Sequence, residues 1–441
     1  MGRKATTQPD RRHPDRRHLC GGLAHLVPAA AVALLTGVAF ALGQTPTSLA
    51  YQAEQTSAAP AAAPASEIRR IAIVLARELR DLSPPISPLD NRPPDDGVAG
   101  ARLAINDNNT TGRFLGQEFT LTVVQSGNAA ELVADAKKQV DAGASFVIAD
   151  ASAPTLLALA DALKGRDALI LNAGASDDRL REQDCRPNVV HTAPSRAMLA
   201  DALAQYLRWK RWQRWFLVYG TEPSDEAFAN ALRRSAKRFG LKIVEERQFK
   251  DDVGSRADGG HEQIQERIPA FTQRASAHDV LLVADESGRF GEYLPYRTFD
   301  PRPVAGTQGL VPTSWHPALE QWGATQIQNR FRRLANRPME SLDYDAWVAV
   351  RAIGEAATRS KTTSPADLIG YLKSPGFELG AFKGRKLTFR DWDGQLRQPI
   401  LIGTAKLPVS VSPQPGFLHQ FTELDTLGFD KPETNCRAYA P

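Results

Sequence analysis

The chain has 441 residues, of which 42% are hydrophobic and 24% charged, with a formal charge of +4. That length carries two or three ordinary domains with a substantial core. The charge sits at the start: residues 1–18 hold six Arg and Lys against two Asp, so the remainder is formally neutral. A neutral body lacks the basic footprint of a nucleic-acid or anionic-membrane binder, and neither is expected as a partner.

The basic start leads into an apolar run, Leu23 to Leu42, with Ala39-Phe40-Ala41 near its end. A charged region, an apolar region and small residues at a cleavage point make a secretory signal over residues 1–41. The mature chain is therefore expected outside the inner membrane. An uncleaved anchor is the alternative, since the run is nearly long enough to span a bilayer. Arg16-Arg17 fits a twin-arginine signal poorly, which leaves the general secretory route as the default. Cys20 precedes the apolar run and is not placed for lipidation. Residues 42–65, rich in Ala, Pro, Ser, Thr and Gln, read as a disordered linker.

From Ile68 onward the pattern alternates strand and helix. Ile71 to Ala76 is a continuous apolar run, as in a strand covered on both faces. A helical stripe follows from Gly100 to Asn106, then a strand from Phe119 to Val124 and an amphipathic helix from Ala130 to Val140. Phe146 to Ala149 is a strand, Thr155 to Leu163 a helix, and Ala168 to Leu171 a strand. Repeated βα units with short connections predict a parallel, doubly wound sheet.

The pattern then begins again. Ser195 opens a helix to Leu207, and Phe216 to Tyr219 is a strand. Ser224 is expected to cap a helix that Gly240 ends. A strand from Lys242 to Phe249 precedes a polar insertion, Asp251 to Glu262. A helix from Ile268 to Ala277 leads into the buried strand Val280 to Ala284. Two α/β halves in succession predict two similar lobes.

The last third is less regular. Val304 to Leu310 reads as a strand and Asp343 to Arg359 as a long helix. Leu387 to Arg390 and Gln398 to Ile402 flank Asp393-Gly394, a hairpin turn. The tail from Pro413 carries Phe417, Leu418, Phe421 and Leu427 and is expected to pack as a strap. Cys185 and Cys436 remain after signal removal. An oxidising compartment favours a bond between them, two buried thiols being the alternative. Closing so long a loop stabilises by roughly 5 kcal/mol at most on the chain-entropy model.

Several segments carry a family resemblance. Gly97 to Asn108, His191-Thr192-Ala193-Pro194-Ser195 with Leu199 to Leu203, and Asp343 to Trp347 with Ala352 to Ala356 resemble the type I periplasmic binding proteins, branched-chain amino-acid branch. The runs Asn108 to Phe114, Phe290 to Tyr296, Gln395 to Pro399 and Pro413 to Gln420 are similar to a subgroup. Its members accompany pyrroloquinoline-quinone-dependent (PQQ-dependent) alcohol dehydrogenase systems. The resemblance implies two lobes joined by three crossings with a ligand cleft between them, in the periplasm, serving an ABC permease in the inner membrane. It implies a first lobe of residues 66–192 and 306–361, and a second of 193–305 and 362–441. Val124-Gln125-Ser126 departs from the family, many of whose members place an Asp there.

Ligands of open α/β sheets bind at the carboxyl ends of strands, where helix N-termini offer free N–H groups. That rule selects Ser152 and Thr155, whose hydroxyls and amides suit a carboxylate, or else only cap a helix. It selects Asn172 and Gly174, the latter allowing close backbone approach. In the second half it selects Tyr219, Glu222, Asp285 and Glu286, as stacking and acidic contacts. Arg77 and Glu78 end the first strand as further candidates or as an ion pair.

No metal spacing, phosphate loop, dinucleotide fingerprint or nucleophile elbow is present. Asp391 to Gly394 lacks the later ligands of a calcium loop. No cofactor and no catalytic set is expected. An exported enzyme remains the rival if His191 meets Ser195 and a carboxylate. A sensor that feeds no permease is the second alternative.

Overall fold

A computed structural model describes residues 68–80, 92–250 and 261–439. The expected signal, the linker and the insertion from Asp251 as far as residue 260 lie outside them.

The first lobe begins with β1 (Arg69–Glu78), α1 (Val98–Gly112), β2 (Gln117–Ser126), α2 (Ala129–Asp141), β3 (Phe146–Asp150), α3 (Ala153–Ala162), β4 (Leu169–Asn172) and β5 (Val189–His191). All five strands are parallel, in the order β2-β1-β3-β4-β5. The apolar run of β1 splits by period two. Ile71, Ile73 and Leu75 enter one core, while Val74 and Ala76 enter the core on the opposite face. Covering both faces is what makes the run continuously apolar.

The second lobe repeats the plan with α4 (Arg196–Trp209), β6 (Arg214–Tyr219), α5 (Pro223–Arg238), β7 (Lys242–Gln248), α6 (His261–Thr272), β8 (Val280–Ala284), α7 (Leu294–Arg297) and β9 (Val304–Gly306). Its parallel sheet runs β7-β6-β8-β9. Trp215 and Leu217 face one core, Phe216 and Val218 the other. Glu222, not Ser224, caps α5, because Pro223 takes the first helical position, where its missing N–H costs nothing. Trp215 is buried and donates to the Trp212 carbonyl, whereas Trp209 stays exposed, with Lys210 lying over it and over Trp212.

The chain then returns through β10 (Val311–Thr313) to α8 (Ala324–Ala335), α9 (Ser341–Ser360), α10 (Pro365–Lys373), β11 (Leu379–Gly380), β12 (Lys386–Phe389) and β13 (Leu396–Arg397). α9 lies against α1 at contact distance. A Cβ on Gly100 would stand 1.9 Å from the Asp343 carbonyl oxygen, so only glycine fits that crossing.

The lobe boundary differs from expectation. The second lobe does not resume at residue 362. Leu368, Leu372, Phe377, Leu387 and Leu396 join the core of Ile71 and Phe331, so the first lobe continues to Arg397. The apolar face of α10 matches α9, which carries the segment with it.

Two strands differ as well. Of the expected strand Val304 to Leu310 only Val304–Gly306 forms, as β9, and β10 begins beyond its end at Val311. The segment after Pro399 is β14 (Ile400–Gly403), and it pairs with β10 and with β15 (Pro408–Ser412) instead of closing a hairpin on β12. β12 pairs with β13 around Asp393-Gly394. This antiparallel sheet sits at the lobe junction, with Leu401 in the first core and Ile400 and Ile402 in the second.

The tail is anchored at points. Arg390 and Arg397 both bind Asp425, at 3.0 and 2.8 Å. Leu424 and Leu427 are buried, whereas Leu418 and Phe421 stay exposed, contrary to a strap packed along its whole length. Cys185 and Cys436 form a disulfide with a Cα separation of 5.6 Å. Asn435 donates to Glu182 beside it.

Candidate ligand cleft

Three crossings join the lobes. The first runs from Thr192 to Ser195, the second from Thr307 through β10 to Ser314, and the third is Gln398-Pro399. They are tied to one another. Gln398, fully buried, donates from Nε2 to the Thr192 carbonyl at 2.7 Å, and its Oε1 accepts from Lys383 Nζ at 2.5 Å. Thr192 Oγ1 donates to the Asp345 carbonyl at 3.0 Å, and Ser314 Oγ to Asp345 Oδ2 at 2.9 Å. Asp345, near the start of α9, thus touches the first two crossings directly and the third through Thr192.

Two cavities open at this junction. The smaller, of about 210 Å³, is lined by Arg80, Asp150 and Gly174 at the strand tips of the first lobe, by Ser314 and Asp345, and by Leu199 of α4. The larger, of about 850 Å³, shares Thr313 and Ser341 with it and extends to Tyr296 and to the turn at Lys406. The smaller lies at the carboxyl ends of β3 and β4, where the fold concentrates free backbone groups.

The structure distributes the candidate residues unevenly around this space. Gly174 lines the smaller cavity, and a Cβ there would come within 2.7 Å of Asp150 Oδ1. Asn172 is fully buried and turned inward. Its Nδ2 donates to the Ala175 carbonyl and meets His191 Nδ1, and its Oδ1 accepts from the amides of Gly174 and Ala175. It shapes the loop and offers nothing to the cleft.

Ser152 and Thr155 already hold a carboxylate, that of Glu78. Its Oε2 accepts from the Ser152 amide at 2.5 Å and its Oε1 from Thr155 Oγ1 at 2.8 Å. Burial pushes the Glu78 carboxyl up, but the bonds from Ser152 and Thr155 and the Arg80 charge hold it below its ordinary value. The expected anion subsite at the N-terminus of α3 is thus filled from within. Arg77, the other candidate at the end of β1, stands 3.6 Å from Asp150, and Arg80 pairs with the same carboxylate at 2.8 Å.

The second-lobe candidates have internal partners too. Tyr219 is covered by Arg233, 5.0 Å from its ring centre. Glu222 pairs with Arg289 at 2.8 Å while capping α5. Asp285 accepts from Ser287 Oγ and from the amides of Arg289, Phe290 and Gly291, which makes it the cap of its own loop. Glu286 binds Arg196 through both oxygens, at 2.8 and 2.7 Å. Arg196 also pairs with Asp177 of the first lobe at 3.0 Å, so this ion group bridges the lobes.

His191 and Ser195 do not meet as a base and a nucleophile. His191 Nδ1 faces Asn172, and Ser195 Oγ accepts from the Met198 amide.

Asp345 carries the distinctive chemistry of the smaller cavity. It is 5% exposed, and its Oδ1 is buried without a hydrogen-bond partner. Burial pushes its carboxyl up to about 7 and the amine of Lys383 down to about 7, each partly offset by the charge of the other. The sequence signal was a carboxylate inside the apolar stripe of Tyr344, Trp347 and Val348. Ser314, Ser341 and Arg80 lie far apart in the chain, and only the three crossings bring them together.

The paired lobes, parallel sheets and three crossings are the fold of type I periplasmic binding proteins. The family model described as periplasmic binding protein matches residues 94–258. A periplasmic binding protein from Burkholderia mallei is 16% identical, with a TM-score of 0.59 over 84% of this chain and 99% of its own. The leucine-, isoleucine-, valine-, threonine- and alanine-binding protein of Brucella ovis, in a closed conformation, is 16% identical. It has a TM-score of 0.61 over 84% of this chain and 98% of its own. A solute-binding protein of an ABC transporter from R. palustris, in complex with benzoate, is 11% identical. Its TM-score is 0.58 over 84% of this chain and 99% of its own. No curated protein sequence matches the chain.

Proposed function

We propose that this chain is an exported binding protein that captures a small ligand between its lobes and presents it to an ABC permease of the inner membrane. The observation that carries this reading is the cavity of about 210 Å³ at the meeting of the three crossings. A ligand seated there touches the first lobe, the crossings and α4 together, so its binding energy acts on the angle between the lobes. The similar proteins from Brucella ovis and R. palustris are named as a binding protein and as part of an ABC transporter, which supports the role. The basic, apolar and small-residue start of the chain supports export to the periplasm with removal of the signal. The runs Phe290 to Tyr296 and Pro413 to Gln420 support a place beside PQQ-dependent alcohol oxidation.

The test is small-angle X-ray scattering of the full chain with alcohols, amines, amino acids and short acids added in turn. A ligand of this protein reduces the radius of gyration as the lobes close. An unchanged radius with every compound contradicts the reading.

A further inference from the structure

We propose that Asp345 Oδ1 is the polar anchor of the smaller cavity and accepts a hydrogen bond from the hydroxyl or amine of a small ligand that carries no carboxylate. The inference deepens the binding-protein reading and rests on it.

Two independent observations converge. The first is an acceptor without a partner. Asp345 lines the cavity, is almost wholly buried, and leaves Oδ1 unbonded while Oδ2 takes Ser314. A buried, unsatisfied carboxylate oxygen is costly and calls for a partner, and this one borders a cavity that can admit it. The other charges of the cavity are already matched: Arg80 to Asp150, and Arg92 to Asp96. The unmet need is therefore for a donor, not for an anion.

The second observation is the filled helix terminus. Glu78 occupies the Ser152 amide and the Thr155 hydroxyl, the donors to which a ligand carboxylate would turn. A carboxylate entering the cavity would meet Asp150 and Asp345, with Arg80 and Arg92 already paired to carboxylates. The proteins of this fold crystallised with leucine, isoleucine and benzoate hold carboxylates. This chain supplies its own in the same fold.

Asp345 also explains how such a ligand is felt at the hinge. A donor on Oδ1 completes a residue whose other groups bind Ser314 and Thr192, and Thr192 binds Gln398. The ligand bond is thus one residue from Ser314 and Thr192 in the first two crossings, and reaches Gln398 in the third through Thr192.

The experiment is calorimetric titration of the full chain with ethanolamine, glycerol, leucine and benzoate, repeated on Asp345→Asn. The proposal expects ethanolamine or glycerol to bind, leucine and benzoate not to bind, and Asp345→Asn to weaken the donor probe at least tenfold. Binding of leucine or benzoate overturns it, as does a donor probe that binds the variant equally, or no binding by any probe. If Asp345→Asn does not fold, the carboxyl carbon resonance of Asp345 in the native chain replaces it. That resonance must shift on saturation with ethanolamine or glycerol, and a fixed resonance overturns the proposal. Lobe closure on leucine or benzoate would sink this inference while leaving the binding-protein reading intact. Absence of closure with any compound sinks that reading itself.

Discussion

Thr155 Oγ1 donates to Glu78 Oε1 at 2.8 Å, so the last residue of β1 closes the N-terminus of α3. Removing that carboxylate strips the Ser152 amide and the Thr155 hydroxyl of their acceptor. Glu78→Ala is predicted to lower stability by about 1–3 kcal/mol, the cost of orphaned polar groups. It also frees an anion subsite. Leucine or benzoate should raise the melting temperature of Glu78→Ala and leave that of the native chain unchanged. Equal shifts in both proteins contradict the assignment.

Arg196 is the single cation between Asp177 of the first lobe and Glu286 of the second. Burial of the guanidinium is compensated by those two carboxylates. Arg196→Met leaves both without it, and its predicted cost is about 2 kcal/mol, below that of a fully buried pair because Glu286 and Asp177 keep some solvent. The guanidinium chloride midpoint measures this. A midpoint equal to the native value shows that the bridge carries no stability.

His191 is buried, and burial together with the Arg181 charge lowers its pKa well below 6.5. The fold therefore holds it neutral, while the unfolded chain takes up a proton near pH 6.5. Its contribution is complete above that pH and is lost as pH falls below it, at up to about 1.4 kcal/mol per pH unit. Burial raises Asp345 and Asp393, to about 7 and about 6, and these act in the opposite direction over the same range. The readout is accordingly a difference. Between pH 6.5 and 4.5 the native chain should lose more stability than His191→Gln. Parallel curves contradict a neutral, buried His191.

The disulfide joins the first lobe to the end of the chain across a sequence separation of 251 residues. Replacing both cysteines by serine should cost about 2–5 kcal/mol. The loss should appear in the tail first, as faster amide exchange at residues 434–439, while the amides of β1 and β3 stay protected. Uniform exchange throughout the chain would show that the bond does not act on the tail alone.

The two sheets were legible because each strand buried on both faces leaves an uninterrupted apolar run. Ile71 to Ala76 and Val280 to Ala284 left little choice of element. The junction was not legible. β10 and β14 are short and pair with each other across a long stretch of chain, so Val304 to Leu310 read as one strand and Gln398 to Ile402 was set in a hairpin with the wrong partner. α10 was misplaced for a related reason: Leu368 and Leu372 show that a face is apolar, not which core receives it.

At the site, the strand-end rule located the right loops but not the right atoms. Ser152 and Asp285 stand where ligand contacts are expected, yet Glu78 fills one and a local loop fills the other. A residue type shows capacity for a bond, whereas occupancy by another part of the same chain needs coordinates. Asp345 was not among the sequence candidates, because it sits on a helix and not at a strand end, and only the meeting of three crossings gives it a purpose.

The central claim is that the lobes close around a small ligand at the hinge. The most direct measurement is the distance between spin labels at Lys164 of the first lobe and Lys237 of the second, both exposed. The distance should shorten and its distribution narrow when ethanolamine or glycerol is added, and Asp345→Asn should abolish the change. A distance that stays the same with every compound, in a folded native chain, contradicts the account.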